Sequence, residues 1–249
     1  YTAHSRLLSS MIEIPPSPTE RPFFITHHAP DTEPLTFTRF QEMCKEMKAV
    51  GFSEHRFDVR WNTSAPTAHT TNQEYLTRAA RFAQIAQKEG LKPLVIFSTP
   101  PIWAYKGKSS EYIAKAYSNF TQNVKTIFDK ADVSITAVQL LNEINNPVYT
   151  PKRFLSELPA MAAITKNVFG EKTDVSATVV CAKPWTDVGK FVEKHKNSLL
   201  PLTSIGLDFY PGVYQFKKNT ISPKGGSIIA HQTLEAIATK GMKPARKDF

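Results

Sequence analysis

The dipeptide Asn142-Glu143 contains the residue types in this chain that are best suited to chemistry. It ends an apolar, β-like run over residues 135–141. A carboxylate at the C-terminal end of a buried parallel strand lies where parallel barrels place their reacting groups. Glu can transfer a proton, and the neighbouring Asn amide can hydrogen-bond a substrate hydroxyl. The pair therefore indicates acid–base chemistry on a hydroxyl-rich substrate such as a sugar.

Further polar and aromatic residues lie at or near the ends of other predicted strands. These candidates are His27, His28, Arg56, Trp61, Trp103, Trp185, Asp208 and Tyr210. Aromatic rings can stack on the apolar faces of sugars, whereas His, Asn and carboxylates can bind hydroxyl groups. Each Trp could instead pack at the rim of the fold, and Asp208 could be a polar core residue. Only one of the two adjacent His side chains is expected to face the substrate.

Short apolar strands alternate with amphipathic helices along almost the whole sequence. The predicted strands are 23–28, 55–60, 94–98, 135–141, 175–181 and 204–209. The predicted helices are 36–50, 71–89, 110–129, 150–168, 187–196 and 227–239. Thr71-x-x-Glu74 is a candidate capping box, and Thr150-Pro151 is a candidate helix start.

Six consecutive β-α units predict an α/β fold with a parallel sheet, of the TIM (β/α)8-barrel type. No Gly-x-Gly-x-x-Gly pattern follows the first strand, which disfavours dinucleotide binding. The helix end and turn at 88–93 recur at 239–244, so the seventh strand is expected to begin where this sequence ends. We expect one barrel domain over 1–249, with 1–22 as an N-terminal extension and the barrel incomplete at its C-terminus.

Composition excludes several classes of protein. The chain is 41% hydrophobic and 21% charged, and its net charge of +9 is scattered, which predicts no nucleic-acid partner. No apolar run approaches the ~20 residues that span a membrane. Cys44 and Cys181 are expected to be buried, and no His or Cys spacing indicates a metal or other cofactor. A secreted or periplasmic location is favoured; Asn62 and Asn119 begin glycosylation sequons, and the oligomeric state is open.

Four motifs occur in order on successive predicted strands. They are Arg56 five residues before Trp61, Pro101-Ile-Trp103, Leu141-Asn142-Glu143, and Ile205-Gly-Leu-Asp-Phe-Tyr-Pro211. In this order they resemble the large clan of retaining glycoside hydrolases called clan A, whose members are (β/α)8 barrels. The resemblance covers roughly residues 23–244.

The resemblance implies a role for each matching residue. Glu143, after Asn142, would be the general acid/base that cleaves O-glycosidic bonds of a poly- or oligosaccharide. Tyr210 would hydrogen-bond the nucleophile, and Arg56 would keep that nucleophile ionised. The nucleophile itself would be a Glu at the end of strand seven, beyond this sequence. Weaker candidates for the second carboxylate are Asp208, Glu13 and Glu235.

Two alternatives remain open at the level of sequence. The chain could be a catalytically inactive, glycosidase-like barrel that binds glycan or serves as a scaffold subunit. It could also be a barrel enzyme of unrelated chemistry, such as a lyase that uses Glu143 as its base.

Overall fold

A computed structural model describes residues 24–27, 36–180 and 188–208 of this chain. Within these ranges the strands are Phe24–His27 (β1), Glu54–Arg60 (β2), Lys92–Ser98 (β3), Ala137–Leu140 (β4), Asp174–Val180 (β5) and Ser204–Asp208 (β6). The long helices are Phe37–Ala49 (α1), Gln73–Lys88 (α3), Ser110–Lys130 (α5) and Phe154–Phe169 (α6). The short helices are Trp61–Ser64 (α2), Ile102–Tyr105 (α4), Val188–Lys194 (α7) and Lys196–Leu199 (α8).

The six strands form one parallel sheet in the order β1-β2-β3-β4-β5-β6. Each strand pairs with the next one in the sequence, and a helix-containing segment connects them. Sequential, all-parallel pairing is the pattern of a TIM-type barrel. The predicted fold class is therefore confirmed, and the C-terminal ends of all the strands lie at one edge of the sheet.

The two faces of the sheet differ in chemistry because side chains alternate along each strand. On β2, Phe57 and Val59 face the helices and belong to the main hydrophobic core, whereas Arg56 faces the opposite side. The same alternation puts Val138 of β4 against the helices and Gln139 on the inner side. On β2 and β4 the inner face thus carries polar side chains, and the outer face carries the apolar core.

The amphipathic helices cover the outer face as their hydrophobic spacing predicts. The inward residues of α5 include Ile113, Tyr117, Phe120 and Val124, all of them buried. A second, smaller cluster joins α1 to α3 through Phe40, Cys44, Met47, Phe82, Ile85, Ala86 and Leu91. None of the helices in the described residues is long and apolar enough to cross a membrane.

Cys44 is fully buried and free, as expected for a small core residue. Burial, together with the charge of Glu89, raises the pKa of its thiol to about 12. The thiol is therefore protonated and unreactive at neutral pH. Cys181 lies outside the described residues.

Two helix starts differ from the sequence expectation. The N-cap of α3 is Asn72, whose side chain accepts from the backbone N–H of Tyr75, whereas Thr71 accepts a hydrogen bond from Asn123 on α5. The capping-box prediction was therefore wrong by one residue. The helix predicted from Thr150 begins at Phe154 instead, since the Thr150 hydroxyl donates to the carbonyl of Asn142.

Candidate active site

The end of β4 has an unusual backbone. Leu141 and Glu143 adopt left-handed conformations, with φ angles of 61° and 47°. Such conformations are costly for residues other than glycine, and they persist only where the surroundings enforce them. The Leu141 N–H donates to the carbonyl of Phe97 on β3 at 3.0 Å, and the Ile144 N–H donates to that of Thr178 on β5 at 2.8 Å. Both neighbouring strands therefore hold this turn in place.

Glu143 is enclosed, with 2% of the residue exposed. The side-chain amide of Asn146 donates to its Oε2 at 2.8 Å. The backbone N–H of Glu143 donates to the hydroxyl of Thr178 at 3.1 Å. A buried carboxyl with fixed hydrogen bonds has a defined direction for proton transfer, which general acid–base catalysis requires.

Gln139 and Arg56 form a buried polar network beside the turn. Arg56 Nε donates to Gln139 Oε1 at 2.8 Å, and Arg56 Nη2 lies 3.4 Å from Asn142 Oδ1. The Gln139 amide nitrogen donates to the Leu141 carbonyl at 2.7 Å and to the Thr178 hydroxyl at 3.1 Å. The network thus ties β2, β4 and β5 together, and it orients the Asn142 amide next to Glu143.

Asp208, on the inner side of β6, is the second carboxylate in this region. Its Oδ1 lies 3.8 Å from Arg56 Nη2, and the two side chains are 14% and 9% exposed. Its Oδ2 is buried and has no hydrogen-bond partner within the described residues. Asp208 therefore balances the charge of Arg56, as expected for a polar interior residue, and it retains an unused acceptor.

The aromatic candidates at the strand ends separate into two cases. Trp61 is 1% exposed and packs against Tyr117, Phe120 and Phe154, so its ring has no face for a sugar. The substrate-binding expectation for Trp61 is corrected to a packing role. Trp103 is only partly buried; its Nε1 donates to the Ala65 carbonyl at 3.0 Å, and it lines a cavity of about 580 Å³.

The remaining predicted site residues fall at the limits of the described structure. The backbone of His27 ends β1 and pairs with Phe57, at the same edge of the sheet as Glu143. His28, Trp185 and Tyr210 lie outside the described residues, as do Glu13 and Glu235.

Three site residues were not identified from the sequence, namely Gln139, Thr178 and Asn146. Gln139 is a polar residue in an otherwise apolar strand, and that contrast could have identified it. Thr178 is common in strands, so its type gave no signal. Asn146 belongs to the Asn145-Asn146-Pro147 turn, which reads equally well as ordinary loop sequence.

The described residues contain no cluster of three or more His, Cys, Asp or Glu residues that could hold a metal ion. Among the described residues, this site brings together the carboxyls of Glu143 and Asp208 with the amide and guanidinium groups around them.

A comparison with protein-family models gave no match, and nor did a comparison with curated proteins. Solved structures match the fold. A β-glucosidase, described as β-glucosidase 1317, has a TM-score of 0.51 at 15% identity over 70% of this chain and 55% of its own. The exo-β-1,4-mannosidase Op5Man5 from Opitutaceae bacterium strain TAV5 has a TM-score of 0.51 at 16% identity over 64% of this chain and 32% of its own.

A β-glycosidase from Pyrococcus horikoshii is also similar, with a TM-score of 0.50 at 15% identity over 76% of this chain. The present chain covers 60% of that protein's length, so it spans less than two thirds of each of these three relatives. Identities near 15% establish the fold alone. The chain has the parallel α/β fold of TIM-barrel glycosidases.

Proposed function

We propose that this chain provides the general acid/base of a retaining glycoside hydrolase that cleaves O-glycosidic bonds of a poly- or oligosaccharide. The observation that carries the proposal is the buried, hydrogen-bonded carboxyl of Glu143 on a strained turn at the C-terminal end of β4. Active sites of this fold lie at that end of the strands. The likeness to three glycosidase structures supports the same chemistry.

In this mechanism Glu143 first acts as an acid. It donates its proton to the glycosidic oxygen while a second carboxylate attacks the anomeric carbon and forms a covalent glycosyl intermediate. Glu143 then accepts a proton from the water that hydrolyses the intermediate. Retaining enzymes hold the two carboxyl groups about 5–5.5 Å apart. The clan resemblance implies that this second carboxylate is a Glu at the end of the seventh strand of the barrel.

Asn142 and Arg56 have supporting roles in this proposal. The Asn142 amide, held by Arg56 and Gln139, is available to hydrogen-bond a sugar hydroxyl beside the cleaved bond. Arg56 places a positive charge on the inner face, where it would favour an ionised nucleophile. Trp103, His27, His28, Trp185 and Asp208 are proposed to contact the sugar, and Tyr210 to hydrogen-bond the nucleophile.

The test is Glu143→Gln in the polypeptide of full natural length. With β-glucoside and β-mannoside substrates that have poor leaving groups, we expect kcat/KM to fall about 10²–10⁴-fold, because protonation of the leaving group is lost. The matched control is Glu157→Gln, which changes another buried Glu on α6 that bonds Ser110 outside the site. This control should retain activity.

The stereochemistry of the first product, measured by NMR immediately after cleavage, tests retention. Retention of the anomeric configuration is expected for the double displacement. Undiminished activity in Glu143→Gln would overturn the acid/base assignment. A wild-type protein that binds glycans without cleaving any of them would instead support the inactive, glycan-binding alternative.

A further inference from the structure

We propose that Asn146 is a positioning residue that fixes the carboxyl of Glu143 and stabilises its ionised form through a hydrogen bond to Oε2. This inference rests on the proposed function of Glu143 and deepens it. Asn146 lies three residues after Glu143, and its Nδ2 donates to Glu143 Oε2 at 2.8 Å. Both residues are 2% exposed, so water does not compete appreciably for this hydrogen bond.

The Asn146 amide is held in one orientation. Its Oδ1 accepts from the backbone N–H of Val148 at 3.1 Å, which leaves Nδ2 as the end that faces Glu143. The Asn146 backbone is fixed as well, because its N–H donates to the Glu143 carbonyl at 2.7 Å and its carbonyl accepts from Thr150 at 3.0 Å. The turn is therefore arranged to aim an N–H donor at one carboxyl oxygen.

A fixed donor affects the two protonation states of a carboxyl differently. An N–H aimed at Oε2 stabilises the ionised carboxylate more than the neutral acid. The bond thus lowers the pKa of Glu143 relative to the same site without the donor. It also fixes the orientation of the carboxyl, so proton transfer starts from one geometry.

The other charged groups around this turn are the same in every variant of the test. On the inner side they include Arg56, Asp58 and Arg60, which alternate along β2, and Asp208 of β6, while β5 presents the neutral Thr178. On the outer side, Lys152, Lys194 and His195 line a cavity of about 440 Å³ with the residues that follow Glu143. A difference between variants therefore reports the Asn146 amide.

The neighbouring Asn145 provides a matched control of the same residue type. Its Nδ2 donates to the Val180 carbonyl at 3.0 Å, and its Oδ1 accepts from the Val180 N–H at 2.8 Å. Asn145 therefore ties the same turn to β5 without bonding the Glu143 carboxyl. If Asn146 only stabilised the turn, replacing either Asn would have the same consequence.

The experiment compares Asn146→Ala, Asn146→Ser and Asn145→Ala by carbon-13 NMR titration of the Glu143 carboxyl, assigned through Glu143→Gln. We expect the carboxyl to titrate about one pH unit higher in the Asn146 variants, because a charge-assisted bond to the ionised form is lost. Asn145→Ala should leave the titration in place. The serine variant can keep the acceptor for Val148, which protects the fold.

The basic limb of the pH profile of kcat/KM provides the second readout. Activity is lost as Glu143 ionises, so this limb should move to higher pH with the NMR titration in the Asn146 variants. An unchanged titration, or an equal change in Asn145→Ala, would overturn the inference. If the titration moves but wild type and Glu143→Gln are equally inactive, the proposed function fails, while the effect of the Asn146 hydrogen bond on the Glu143 carboxyl stands.

Discussion

Glu143 is held mainly by residues outside its own strand. Thr178 of β5 binds its backbone, Asn146 binds its carboxyl, and Gln139 fixes the carbonyl of Leu141 just before it. Each of these contacts crosses to a neighbouring element or reaches along the turn. Substitutions at these three positions, Thr178 above all, are therefore expected to change the orientation of Glu143.

Trp61 gives a residue-level prediction about the core. Its indole N–H is buried and has no hydrogen-bond partner in the described part of the chain, while its ring stacks on Phe120 at 5.4 Å. Trp61→Ala should lower the free energy of unfolding by about 3–5 kcal/mol through the cavity that it leaves. Trp61→Phe should cost clearly less, because it keeps the stacking and removes an unsatisfied donor.

Urea unfolding at 25 °C measures both variants, with equal m-values as the check on comparability. Equal losses for Phe and Ala would show that the indole N–H finds a partner. A loss below about 1 kcal/mol for Trp61→Ala would contradict burial of the ring.

For single residues, the sequence could predict the position relative to a strand end better than the packing around the side chain. The sequence placed Glu143 at the end of the fourth strand, and the structure has it just after β4. Trp61 follows β2 in the same way, but it begins the short helix α2 and packs into the aromatic core. No pattern of residue types around Trp61 separates these outcomes, since the partners Tyr117 and Phe154 come from distant helices.

Among the strands and helices, the feature of β4 that matters most for the site is the residue at which the strand ends. The prediction extended it over 135–141, whereas the strand ends at Leu140 because Leu141 takes a left-handed conformation. Apolar residues continue past the strand, so the hydrophobic pattern cannot show the turn. Only the contacts with Phe97 and Thr178 establish it.

The start of α3 allows a test of capping. Asn72→Ala should lower the free energy of unfolding by about 1 kcal/mol, because the Tyr75 N–H loses its side-chain acceptor. Asn72→Asp keeps an acceptor at the positive end of the helix dipole and should remain close to wild type. Chemical denaturation measures the three proteins. Similar losses in the Ala and Asp variants would mean that the amide has some role other than capping.

Helix interiors were predictable and helix starts less so. The stripes on α1, α3 and α5 follow the apolar spacing directly, and the turns after α1 and α3 contain glycines with φ angles of 95° and 82° at Gly51 and Gly90. The predicted start of α6, at Thr150, was wrong because the Thr150 side chain bonds the Asn142 carbonyl instead of capping the helix. A hydrogen bond between a side chain and another segment of the chain cannot be predicted from the neighbouring residues.

For the whole molecule, two features of the sequence predicted the sheet order. Six consecutive β-α units indicated a parallel sheet, and the lack of a Gly-x-Gly-x-x-Gly pattern after the first strand favoured the barrel order, in which neighbouring strands follow the sequence. The interior network was not predictable, because it depends on which inner-face residues of β2, β4, β5 and β6 reach the same level. That level is fixed by the strand register, such as Arg56 beside Leu94 and Thr178 beside Gly206.

The pH dependence of the stability of the chain can be predicted at Glu54, on β2. Burial raises the pKa of Glu54; Lys92 partly opposes the effect and Asp174 adds to it. Because the folded pKa lies above the unfolded value, stability falls as pH rises above about 4.3. Glu54→Gln should therefore match wild type near pH 3 and be more stable than wild type at neutral pH, as measured by urea unfolding at several pH values.

Glu111, at the start of α5, is a control because its pKa is shifted in the opposite direction from that of Glu54. Hydrogen bonds from its own backbone N–H and from Ser109 lower its pKa, so its contribution is present at neutral pH and is lost as pH falls. Glu111→Gln should consequently be less stable than wild type at neutral pH and equal to it in acid. The same sign for both variants would contradict this account.

The alternation of side chains along the strands also bears on how such a protein can change. Along a strand, every second residue from Arg56 or Thr178 lies on the inner face, and the residues between them face the helices. A mutant library confined to the inner set would leave the packing surface of the helices untouched. Selection for a new substrate could then act on the inner-face residues, while selection for folding and expression yield acts on the residues that pack against the helices.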